Sequence, residues 1–215
     1  MRAAFGRSWK TYVGRPETDG LRSCAMGQLG NGLLNARHYE DALTVKEAEL
    51  SMLRRLGIDS EEDILVAQSN LALTYSMLGR DKQCLEMRRD VYFGLLHHKG
   101  EHEDTIAAAV NYANSLCGLE RFEESRSLMV KTITVARRIL RENHDLMFRM
   151  RLVHANALFE DPAATLDDLR EAVTTLEETE RTARRVLGGA HPLAPTIELY
   201  LLETRAVLRA RESSS

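Results

Sequence analysis

The chain has little of what cross-links, stiffens or polarises a protein. Its 215 residues contain three cysteines, Cys24, Cys84 and Cys117, far apart and with no CxxC pair. That excludes a zinc ribbon and a disulfide framework and points to a reducing, cytoplasmic setting. Four prolines and thirteen glycines are too few for a collagen-like or Pro/Gly-rich disordered chain. No charge of one sign prevails: 29 basic residues face 32 acidic ones, for a net charge of -3. Such a surface has no electrostatic drive toward nucleic acid or an anionic membrane. No apolar run reaches the ~18 residues of a spanning helix, so a soluble protein is expected. There is no GxSxG, no phosphate-cradling glycine loop, no HExxH and no DxDxDG, and the expectation is a non-enzyme without cofactor or metal.

What is present is 44% hydrophobic and 28% charged, rich in helix formers, and it repeats. Gln28 to Leu43, Asn70 to Leu85 and Asn111 to Arg126 align so that Gly30, Ala72 and Ala113 share one column and Ala42, Cys84 and Ser125 another. The period is 42 residues and then 41, and the two small residues of each copy lie twelve positions apart. A fourth copy places Ala155 and Ala172 in these columns, with about five extra residues around Pro162 between them. Two antiparallel helices can cross at 8–10 Å only where a small side chain leaves room. Apolar residues around the small ones recur at helical spacing, as in Leu71, Leu73, Tyr75 and Leu78, so each copy is predicted to be a helical hairpin. Turns are expected within hairpins at Gly79-Arg80 and Glu120-Arg121, and between them at Leu56-Gly57, Lys99-Gly100, Asn143-His144 and Gly188-Gly189.

On Asn70-Leu71-Ala72, Tyr75, Leu78-Gly79-Arg80 and Cys84, and on Leu187-Gly188-Gly189-Ala190-His191-Pro192 between the last two copies, the chain resembles the tetratricopeptide repeat family. Within it, the longer-period repeats of kinesin light chains are most similar. The inter-repeat signature recurs in part at Gly100-Glu101-His102-Glu103 and Glu142-Asn143-His144-Asp145. Four positions depart from the family pattern, because the alanine usual late in the second helix is Glu49, Val91, Thr132 and Thr179. The expected fold is all-α: a right-handed superhelical solenoid of stacked antiparallel hairpins with a C-terminal capping helix. Residues 21–211 are read as the repeat domain, 1–20 as a leader and 212–215 as a frayed tail. The leader, from Met1 to Arg15, has no acid and four cations, so an organelle presequence is the minor alternative to a disordered leader or the edge of a longer protein. In the capping helix, Leu193 to Arg211, the charged residues Glu198, Glu203, Arg205, Arg209 and Arg211 are expected to face water.

Charged and imidazole groups read mainly as structural. His97, His98 and His102 form the one histidine cluster, but His102 shares its turn column with His144 and His191, where an imidazole can cap a helix. The acids Glu61-Glu62-Asp63 and Asp167-Asp168 fall at helix starts, and the pairs Arg54-Arg55, Arg137-Arg138 and Arg184-Arg185 at helix ends. Both placements suit the helix dipole; a stripe for an acidic partner is the other reading of the arginines.

The asparagines carry more information. Asn31, Asn114 and Asn156 each follow the first small residue of their copies, and Asn70 and Asn111 stand two residues before it. These columns are three apart and share a face of the first helix. Asparagine costs roughly 0.7 kcal/mol relative to alanine inside a helix, so five placements ask for a reason. First helices line the inner face of a hairpin stack, where a carboxamide can donate to and accept from a peptide backbone. The family resemblance implies the same use, while bonding between neighbouring repeats is the alternative. The leading expectation is a scaffold that binds a peptide or partner helix, with no nucleic acid and no membrane. An assembly or self-association domain of a larger polypeptide, using its ends or convex surface, is the second.

Overall fold

The computed structural model describes residues 14–16, 20–57, 61–188 and 191–213. The remainder of the expected leader and the last two residues of the expected tail lie outside these. Among the described residues the structure consists of nine α-helices and no strand. They are α1 (Gly20–Asn35), α2 (Tyr39–Leu56), α3 (Glu61–Met77), α4 (Asp81–Lys99), α5 (Glu103–Cys117), α6 (Phe122–Ile139), α7 (Asp145–Phe159), α8 (Leu166–Leu187) and α9 (Leu193–Glu212). The fold class is an all-α helical-repeat solenoid, each repeat a hairpin of consecutive helices.

The first three hairpin turns are the same turn. His38, Arg80 and Arg121 each donate a backbone N–H to the carbonyl five residues back, on Leu33, Tyr75 and Leu116, at 2.9 Å in all three. This Schellman-type closure needs a left-handed residue just before the donor, and that position holds Arg37 (φ 61°), Gly79 (φ 67°) and Glu120 (φ 59°). Only Gly79 adopts that geometry without a Cβ clash. Glu120→Gly is therefore expected to stabilise the protein by about 0.5–1 kcal/mol in urea unfolding. A loss of stability would mean that the Glu120 side chain holds the turn.

The fourth turn is longer and is anchored differently. Thr165 caps α8 in a reciprocal box with Asp168. From α9, the Arg211 guanidinium reaches back to the carbonyls of Ala164, Asp161 and Pro162.

The described residues up to His98 and those from Lys99 onward form two compact units. In the first, α2 packs on both α1 and α3, and a core of Leu43, Leu50, Leu53, Leu71 and Tyr75 is buried between α2 and α3. In the second, α5 to α9 pack consecutively around Phe148, Leu158, Leu169, Leu176, Ile197 and Leu201.

The charged residues of the final helix lie at the surface, and some of them form ion pairs there. Glu198 pairs with Arg184 at 2.6 Å and Arg205 with Glu177 at 2.6 Å, both pairs exposed at the surface, and Arg211 reaches back to the fourth turn. Their flank packs on α8. The exposed surface also presents Leu199 and Leu202, 51% and 65% exposed.

Candidate functional site

Each hairpin is closed at its small columns. Gly30, Ala42, Ala72, Cys84, Ala113, Ser125, Ala155 and Ala172 are all buried. In the third hairpin the two columns touch: the Ser125 hydroxyl donates to the Ala113 carbonyl at 3.1 Å and accepts from the Cys117 thiol at 3.2 Å.

The asparagine columns are not equivalent from copy to copy. Asn111 and Asn114 are exposed one turn apart on α5, and Asn70 on α3 is half-buried. Asn156 on α7 is buried, donates to Glu160 at 3.0 Å and has a sealed carbonyl oxygen with no hydrogen bond. Asn31 on α1 is half-buried and accepts from the Lys46 ammonium at 2.6 Å. The positions interrupting the columns also differ: Leu73 is exposed and Val153 buried.

A polar cluster that the repeat pattern did not single out as a site lies between α1 and α2. Lys46 and Glu49, one turn apart on α2, are only 1% and 7% exposed. Two helical glycines make the space. A Cβ on Gly30 would stand 2.9 Å from Lys46 Cγ, and one on Gly27 would stand 2.9 Å from Glu49 Oε1. Burial lowers the Lys46 pKa, partly opposed by Glu49, and pushes the Glu49 carboxyl up to about 7 against the pull of Lys46. Glu49 Oε2 is buried with no hydrogen-bond partner. A signal was present in the repeat alignment. The Lys46 column continues as Arg88, Met129 and Leu176, of which the last two are fully buried.

The turn histidines and three of the paired arginines have structural partners. The Nδ1 atoms of His102, His144 and His191 accept from the N–H of Asp104, Leu146 and Leu193 at helix starts, and His98 meets Glu61 at 2.6 Å. Arg138 pairs with Glu101, Arg137 with Glu142 and Arg184 with Glu180 and Glu198, so three of the six arginines in the paired columns meet nearby acids. Among the described residues no group of three His, Cys, Asp or Glu could hold a metal ion, and no helix is long and apolar enough to cross a membrane.

Stacked hairpins closed at small residues, with side chains presented on their first helices, define a helical-repeat protein. Residues 105–145, from α5 through α6 to the start of α7, match the Tetratricopeptide repeat family. The fold is like that of a kinesin-light-chain-type protein of Podospora anserina built of nearly identical TPR-like repeats, with a TM-score of 0.72 at 18% identity over 89% of each chain. It is also like BtubC (BKLC) of P. vanneervenii, with a TM-score of 0.72 at 13% identity over 99% of this chain and 91% of that one. A Rap protein complexed with Competence and Sporulation Factor matches with a TM-score of 0.57 at 16% identity, over 88% of this chain and 54% of that one. No curated protein sequence matches the chain. The sequence match to tetratricopeptide repeats covers residues 105–145, and the fold of the chain is a helical-repeat fold like that of kinesin-light-chain-type repeat proteins.

Proposed function

We propose that the protein is a non-catalytic interaction scaffold that holds a peptide or a partner helix against its first-helix faces. The observation carrying this reading is the pair Asn111 and Asn114, exposed one turn apart on α5. An exposed asparagine gains nothing from core packing and is a poor helix former, yet its carboxamide can meet a peptide backbone as donor and acceptor. Helices fixed by buried small columns hold these groups in place before a ligand arrives, which lowers the ordering cost of binding. The complex of the Rap fold relative with Competence and Sporulation Factor supports a ligand-holding role. Each amide contact contributes about 0.5–1.5 kcal/mol net, so reversible binding in the micromolar range is expected.

The test uses 12-residue peptides selected by display on the wild-type protein. Asn111→Ala with Asn114→Ala is expected to weaken their binding about tenfold while the melting temperature stays within about 2 °C. Equal binding at unchanged stability would remove the reading.

A second reading, self-association of two copies as an assembly domain, is favoured by the exposed Leu199 and Leu202 on α9. Light scattering across protein concentration decides it. A mass that stays monomeric while peptide binding is intact rules it out.

A further inference from the structure

Asn31 and Asn114 occupy the same repeat column, but only Asn31 has a cation behind it. The Lys46 ammonium donates to Asn31 Oδ1 at 2.6 Å. An ammonium has three donors and no acceptor, so it fixes which end of the carboxamide faces inward. The lysine reaches that point because residue 30 is glycine: its Cγ and Cε pass 2.9 and 3.1 Å from where a Cβ would stand. Outward, Asn31 Nδ2 donates to no described residue and is not among the buried atoms that lack a partner. It lies along α1 in line with Cys24, Gln28 and Asn35, which are exposed. At Asn114 the residue standing where Lys46 stands is Met129, which makes no such demand on the carboxamide.

We propose that Lys46 is a positioning residue that makes Asn31 a donor-only group, so that the first hairpin takes a hydrogen-bond acceptor, the backbone carbonyl oxygen of an extended peptide. This rests on the peptide-binding reading above and adds polarity to it. Asn114 can serve either a carbonyl or an N–H. Asn31 serves only a carbonyl, and a peptide that turns an N–H toward α1 is refused. The two hairpins therefore differ in what each accepts.

The experiment uses the same display-selected peptides and the full chain. Asn31→Asp keeps an oxygen for Lys46, adds an opposite charge to hold it, and removes the outward donor. Binding is expected to fall about five- to tenfold with no loss of thermal stability. In the wild type, the Asn31 side-chain amide resonance should shift when peptide is added, a response that a purely structural role does not give. Lys46→Met with Glu49→Gln removes both buried charges together, leaves the interior neutral and frees the carboxamide to turn. About threefold weaker binding is expected, with the Asn31 resonance no longer responding as in the wild type. If Asn111→Ala with Asn114→Ala weakens binding but Asn31→Asp does not, the donor assignment is wrong and the scaffold reading stands. If no peptide is selected, or none of the variants changes binding, both are overturned.

Discussion

Lys46→Ala is expected to lower the unfolding free energy at pH 8 by about 3–5 kcal/mol. Three losses combine. The aliphatic stem of Lys46 fills the space above Gly30, so truncation opens a cavity in a fully buried site. The carbonyl oxygen of Asn31 loses its donor. Glu49, whose second carboxylate oxygen already lacks a hydrogen bond, loses the only cation assigned to oppose its desolvation.

The pH dependence has a definite sign. Folding raises the Glu49 pKa from 4.5 to about 7. Between these values the native state holds a proton that the unfolded chain has released, so stability falls as pH rises across that window. The stabilisation is complete below about 4.5 and gone above about 7, a change of about 3 kcal/mol. Subtracting the Glu49→Gln profile from the wild-type profile isolates it. In Lys46→Ala the Glu49 pKa rises further, and the decline continues to higher pH. Urea unfolding at pH 5, 6.5 and 8 provides the test. A Lys46→Ala variant within 1 kcal/mol of wild type at pH 8, or a wild type whose difference profile is flat, would mean that the pair is solvated rather than sealed between α1 and α2.

This cluster shows where the sequence was readable and where it was not. Ala72, Ala113, Ala42 and Cys84 were visible because packing at a helix crossing imposes the same residue class at a fixed interval, and a period is legible without coordinates. The turns were visible for a related reason, although Arg37 and Glu120 hide the left-handed position that Gly79 reveals. Lys46 and Glu49 were opaque because a charged residue three or four positions from another charge reads as a solvated helix face, and only tertiary burial reverses that meaning. The repeat columns still held the clue: Glu49 shares its column with buried Val91, Thr132 and Thr179.

The asparagine columns show a different limit. Their spacing leaves peptide binding and bonding between repeats open, and the copies differ: Asn156 is buried and bonded to Glu160, whereas Asn111 and Asn114 are exposed. Periodicity places a side chain on a face; it does not say whether a neighbouring helix covers that face. The same limit applies to α9. Its charged residues lie at the surface, where Glu198 and Arg205 pair with Arg184 and Glu177, but the exposure of Leu199 and Leu202 beside them is not legible from the repeat period.

The second large effect is expected from Ala113→Phe, which should destabilise the second unit by about 3 kcal/mol or more, at or above the upper end for overpacking. Ala113 has no exposed surface, and its carbonyl is held 3.1 Å from the Ser125 hydroxyl on α6. A phenyl ring at this point cannot turn to solvent along α5, because Val110 and Leu116 are buried on the same side and Cys117 is buried one turn beyond. The ring must push α6 away, which breaks the Ser125 bond and opens the hairpin along its length. For a chain of this size the melting temperature should fall by about 6–12 °C. Asn114→Phe is the control that assigns the effect to register. It adds the same ring one residue later, on the exposed face, and is expected to change stability by no more than about 0.5 kcal/mol. The contrast follows from the hundred-degree step between adjacent helix positions: it carries one side chain into the crossing with α6 and the next onto the surface assigned to ligand. Equal melting temperatures for the two variants would place the crossing elsewhere. An unstable Asn114→Phe would mean that the α5 surface is covered and is not free to bind a peptide.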